Sequence, residues 1–187
     1  MAGVYPQVRA TQSGIPRHTC QAGAMAGWKV LEAEASELAA KGRARLESTG
    51  LSLVGTLRRD GSPRITPVEP LLVDGELYLG MMWQSQKAKD LLRDPRCVVH
   101  STVLDKSGSE GDFKAYGNAL PVDEATERDA YCAAMRALTG WAPEGERWHL
   151  FRLDIQQVAW FQAVPPEGHD ILVWRPGGPA EKRDLPQ

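Results

Sequence analysis

The chain has 187 residues, 42% of them hydrophobic and 25% charged, with a formal net charge of −2. That length suits one domain with its own core, and the near-neutral balance gives no electrostatic case for nucleic acid or an anionic membrane surface as a partner. Three unclustered cysteines, Cys20, Cys97 and Cys132, offer neither a disulfide framework nor a zinc site, and no apolar run reaches membrane-spanning length, so a reducing cytoplasm is the expected setting.

Residues 1–24 mix Pro, Gly, Gln, Thr and Arg without a period and cannot bury a face; a flexible extension is expected there. From Trp28 to Thr49, Leu31, Ala35, Leu38, Ala39 and Leu46 recur near i, i+4, i+7 among Glu, Lys and Arg, which predicts an amphipathic helix with its weak point at Gly42. Leu51–Leu57 is apolar and partly alternating, and Asp60-Gly61 then marks a tight turn. Arg64–Val73 reads as the returning strand, its prolines placing it at an edge or bulge. Asp74-Gly75 closes a second hairpin into Glu76–Trp83.

Ser85–Arg96 follows as a short helix with a Ser and two Lys in its first turn and a Pro stop. A helix N-terminus presents unpaired N–H groups and the positive end of the dipole, so hydroxyl and ammonium groups there suit a phosphate. A solvated helix with lysines on its wet face would give the same pattern. Cys97–Leu104 is β-branched and apolar, hence a strand; 105–111 is a polar loop, and Asp112–Leu120 is the next strand. A helix is expected from the Pro121–Ala125 region to about Thr139, capped by Asp123. After a loop, Trp148–Val164 alternates as a long strand and Ile171–Trp174 as a short one, ahead of a Pro/Gly-rich tail.

The Asp60–Val68 turn and strand with Arg64, the Asp74–Gly80 hairpin, the Ser85–Arg96 run and the Cys97–Ser101 strand together resemble the pyridoxamine 5′-phosphate oxidase-like family of flavin-binding proteins, in its actinobacterial oxidase-like branch. The resemblance covers about Trp28 to Gln162, and Met25–Trp28 is similar to the usual beginning of family members. It implies a mainly β fold, a six-stranded antiparallel Greek-key split β-barrel with flanking helices over 25–175. The 176–187 tail and the 1–24 extension would lie outside it. It also implies a homodimer with FMN in each of two interface clefts. Arg64, Ser85 and Lys87 match phosphate-binding positions of the family, where charge-assisted bonds to a dianion are needed. Ile65, Thr66, Pro67 and Val68 match the strand that runs along the flavin ring, Met81 and Met82 a strand end near the ribityl chain and ring, and Trp160 with Phe161 aromatics that could cap the cofactor across the dimer interface, as partner-chain aromatics do in the family.

Three departures bear on the reaction. Glu69 stands where the oxidases carry a Lys that helps bind substrate and cofactor, and Gln86 where they carry an Arg on the phosphate; the C-terminal Arg/His substrate segment has no counterpart after Phe161. The expected activity is therefore an FMN-dependent two-electron oxidoreduction of a small molecule other than pyridoxine phosphate, with no catalytic side chain assigned; Tyr116 or His100 would be the proton donors to consider. A deazaflavin-dependent reductase and a non-catalytic flavin or haem carrier are the alternatives, haem requiring a ligand such as His100 or His149. Cys97-x-x-His100 cannot supply a zinc site, and no dinucleotide fingerprint or G-x-S-x-G elbow is present.

Overall fold

The two Asp-Gly turns set the first half of the chain. In a computed structural model describing residues 25–166 and 168–184, β1 (Ser52–Leu57) pairs antiparallel with β2 (Pro63–Val68), and β3 (Pro70–Val73) with β4 (Glu76–Met82). At the second turn Asp74 and Gly75 both take positive φ, 49° and 76°, the pair a tight hairpin connection requires. The expected continuous strand Arg64–Val73 is instead divided at Glu69, between two prolines that cannot donate to a ladder.

The remaining strands are β5 (Arg96–Ser101), β6 (Asp112–Pro121), β7 (Trp148–Val164), β8 (Gly168–Trp174) and β9 (Glu181–Lys182). Their order is β2-β1-β5-β6-β7-β4-β3, with β8 on β7 and β9 on β8, all antiparallel pairings. The two ends of this path, β2 and β3, are consecutive in sequence. Taken as one bent strand they make the expected six-stranded split barrel, closed by the chain at Glu69 and not by hydrogen bonds. The β8–β9 hairpin lies beyond the six; β9 falls in the expected tail. The expected 1–24 extension lies outside the described residues.

Alternation along the strands fills the barrel with Val54, Val68, Leu77, Leu79, Val99, Phe113, Phe151 and Leu153. Among the described residues four helices flank it. α1 (Trp28–Glu34) and α2 (Ser36–Thr49) close one end, Trp28 lying 5.5 Å from Phe113 between ring centroids. α3 (Gln86–Arg93) packs by β1 and β4, and α4 (Ala125–Thr139) covers the outer face of β3 and β4 through Tyr78, Tyr131, Met135, Trp148 and Leu150. None of the described helices is long and apolar enough to cross a membrane.

Two local expectations change. The N-terminal helix breaks at Ala35 (φ −147°), not Gly42, because Glu34 is anchored there: its carboxylate accepts from Trp174 Nε1 at 3.1 Å and from the backbone N–H groups of Gly177 and Gly178. The cap of α4 is Glu124, whose carboxylate accepts the Glu127 N–H at 3.0 Å; the chain at Asp123 is still extending from β6.

Gly42 is intact helix pressed on the buried Phe113 ring, where an added Cβ would lie 2.4 Å from Cε2. In an exposed helix Gly→Ala stabilises by about 1 kcal/mol. Here Gly42→Ala should reverse sign and destabilise by ~1–3 kcal/mol through overpacking, read as a lower urea midpoint with an unchanged slope.

Candidate functional site

Side chains alternate across β2: Ile65 and Pro67 face outward, whereas Arg64, Thr66 and Val68 are half-buried or buried. β2 ends the sheet, so alternate backbone groups lack a strand partner. α3 supplies what lies next to it. Lys87 donates through Nζ to the Pro67 carbonyl, and Arg64 Nε donates to Asp90 Oδ2 at 2.7 Å. The strand edge and the helix are thus tied twice, by two cations that the family resemblance leads one to expect on a phosphate.

Asp90 is the centre of that tie. It sits on the buried face of α3 with Ala88 and Leu91, accepting also from Thr56 Oγ1 at 3.1 Å and Arg93 at 3.3 Å. Burial pushes its carboxyl up, but the bonds from Arg64, Thr56 and Arg93 outweigh that and hold it below the ordinary carboxylate value. Sequence reading missed Asp90, Thr56 and Arg93. The available signal was a carboxylate between two core positions of a short helix, which requires a buried donor.

Arg64 uses only Nε in this bond; its two terminal nitrogens have no hydrogen-bond partner among the described residues. Burial lowers the Lys87 pKa, with Glu69 nearby acting against that shift. Ser85 is the N-cap of α3, yet its hydroxyl makes no capping bond: Ser85 Oγ is buried without a partner, as is Thr66 Oγ1. The turn before it is held by the Ser85 N–H on the Met82 carbonyl (3.1 Å) and by the Gln84 N–H on His149 Nε2 (3.2 Å), with Gln84 in the left-handed region at φ 57°. Guanidinium, ammonium, hydroxyls and first-turn N–H groups make a donor set that fits a phosphate dianion.

The other expected site residues divide. Met82 is 79% and Ile65 68% exposed, on the open side of the seam, and Gln86 and Lys89 are exposed on α3. Met81 is buried in the barrel and lines a cavity of about 330 Å³ with Glu69, Met82 and Trp83. Within one chain Trp160 lies in the core against Gly111, with Lys41 Nζ 5.3 Å from its ring centroid. Tyr116 and His100 lie on the outer face of β6 and β5, and Nδ1 of His100 is 2.6 Å from the Ser101 carbonyl. His149 stacks on Trp83 at 4.6 Å.

The family profile of pyridoxamine 5′-phosphate oxidase matches residues 38–162. The chain belongs to the pyridoxamine 5′-phosphate oxidase-like family. This family generally binds flavin and its members are commonly dimers. No curated protein matches the sequence. Among solved structures, PhzG from Burkholderia lata in complex with tetrahydrophenazine-1-carboxylic acid superposes with TM-score 0.58 at 18% identity, covering 80% of this chain and 88% of that one. General stress protein 26 from Bacillus anthracis gives 0.54 at 19%, covering 73% and 96%. A haem-binding protein from Mycobacterium smegmatis gives 0.54 at 20%, covering 70% of this chain, which spans 57% of its length. At these identities the likeness speaks for the fold, the split barrel common to the pyridoxamine 5′-phosphate oxidase-like proteins.

Asp90→Asn keeps the shape of the tie and removes its charge. Because the folded-state pKa of Asp90 lies below its ordinary value of 3.8, its stabilisation is fully present above that value and is lost as pH falls through the lower folded one. The variant should be ~1.5–3 kcal/mol less stable near neutral pH. In urea melts the gap to the parent protein should close as pH drops below about 3.8.

Proposed function

We propose that this chain is a homodimeric, cytoplasmic FMN-dependent oxidoreductase acting on a small molecule other than pyridoxine phosphate. The observation that carries the reading is the pair of buried, partnerless hydroxyls, Ser85 and Thr66, beside the half-satisfied Arg64 and the desolvated Lys87. Each buried donor left unmet costs about 1–3 kcal/mol, and a phosphate at this point would relieve both the hydroxyls and the lysine. Asp90 orients Arg64 without neutralising the site, since Arg64, Arg93 and Lys87 outnumber it in charge.

Bound FMN would supply hydride-transfer chemistry at its ring. The protein's part is to bind, orient and shield. Arg64, Ser85 and Lys87 would hold the phosphate; the open edge of β2 from Ile65 to Val68 would lie along the ring, with Pro67 removing one N–H; Met82 would border the ribityl chain. In one copy of the chain Ile65 on β2, Leu53 on β1 and, beyond β5, Tyr116 on β6 are exposed on the outward face of this part of the sheet. A second copy on this face would shield a flavin from water. Glu69, exposed at the seam, would repel a phosphorylated substrate, which argues against pyridoxine phosphate.

Replacing both Arg64 and Lys87 by Ala should weaken FMN binding by ~1.5–3 kcal/mol for each charged hydrogen bond lost, about two to four decades together. Flavin-fluorescence quenching reads this directly. An unchanged affinity would remove the phosphate assignment.

A further inference from the structure

The cavity touched by Met81 and Met82 has a floor that the flavin reading does not use. Tyr131 of α4 is 1% exposed, yet its hydroxyl has no hydrogen-bond partner among the described residues and lines this cavity. Gly80 makes room for it: a Cβ there would lie 2.3 Å from the Tyr131 oxygen, so any side chain at position 80 would fill the floor. Burial first, then Glu69 and Cys132, hold the phenol above its ordinary pKa, so it is a donor throughout the neutral range.

The walls are aromatic. Trp148 stacks on Tyr131 at 5.7 Å and is already engaged, with Arg128 3.8 Å from its ring centroid and its indole N–H on the Gly145 carbonyl at 2.9 Å. Trp83 and Trp141 are the indoles at the open side, Trp141 being 61% exposed. The charged groups lining the cavity are Glu69, Glu144 and Arg147, and none of the three is in an ion pair among the described residues. Two carboxylates against one guanidinium, beside electron-rich indole faces, favour a positive guest. A flavin phosphate at the neighbouring clamp would offset the positive charge of Arg64, Arg93 and Lys87 there.

We propose that this cavity binds a planar organic cation, seated between Trp83 and Trp141 with its charge toward Glu69 and Glu144 and an acceptor atom on the Tyr131 hydroxyl. The inference deepens the flavin reading by giving the substrate class, and rests on it only for the ligand's being a substrate; the charge preference belongs to the cavity itself.

Calorimetric titration with three pyridines of one shape tests it: the 1-methylnicotinamide cation, neutral nicotinamide and the nicotinate anion, each on flavin-free and on FMN-saturated protein. The cation should bind about tenfold or more tighter than the other two. Tyr131→Phe should weaken cation and nicotinamide alike, since both carry the carboxamide acceptor. The Glu69→Gln/Glu144→Gln pair should cut cation binding about tenfold and leave nicotinamide within about twofold. Trp141→Ala, at an exposed position, asks the same question should the paired variant fold poorly, and should weaken the cation most. Equal or tighter nicotinate binding, or a cation indifferent to the carboxylate and Trp141 changes, overturns the proposal. Failure of FMN to bind would remove the flavin reading and leave the cation preference measurable in flavin-free protein. FMN binding without a cation preference would remove this inference alone.

Discussion

Between Val68 and Pro70 the chain passes, in the single residue Glu69, from one end of the sheet to the other. A barrel closed by ladder hydrogen bonds would have no open edge there. This one has a seam, and Pro67 and Pro70 on either side of Glu69 lack the N–H groups that would close it. An unpaired edge is a liability in water unless something covers it. α3 covers part of it, from inside, and the rest is the opening where the proposed flavin would lie. The seam therefore fixes three things together: where α3 docks, which backbone is left for a ligand, and where the exposed carboxylate of Glu69 stands.

The docking of α3 explains why positive charge can be held at the seam without a ligand. Arg64 and Arg93 share the Asp90 carboxylate, itself bonded to Thr56 on the barrel wall, so the guanidinium of Arg64 is oriented in advance and keeps its outer nitrogens available. Lys87 leans on a carbonyl of the strand edge and is partly desolvated. Preorganised donors of this kind bind an anion without the reorganisation that flexible surface lysines would need. Gln86, where related oxidases carry Arg, removes one charge from the exposed side of α3 and leaves the buried donors in place.

Much of this was legible in the sequence, for identifiable reasons. The hairpins follow from Asp-Gly pairs that tolerate positive φ, the barrel interior from strict alternation, and the α3 start from Ser85 with Lys87. The less legible features depend on partners distant in sequence. Asp90 reads as an ordinary helix acid until Arg64 and Thr56 are beside it, 26 and 34 residues away. Ala35 breaks the first helix because Glu34 reaches Trp174 and Gly177, contacts that no local propensity encodes. Trp160 alternates inward into the core of its own chain, a placement that follows from the strand period. Tyr131 gains its meaning from Gly80, on a strand that sequence periodicity does not connect to α4.

A seam built around a phosphate must tell FMN from riboflavin. The two share ring and ribityl chain and differ only in the phosphate. Titrated into flavin-free protein under identical conditions, FMN should bind about a hundredfold or more tighter than riboflavin, two charge-assisted contacts being lost without the phosphate. Equal affinities would contradict the account, because Arg64, Ser85 and Lys87 would then have no anion to hold.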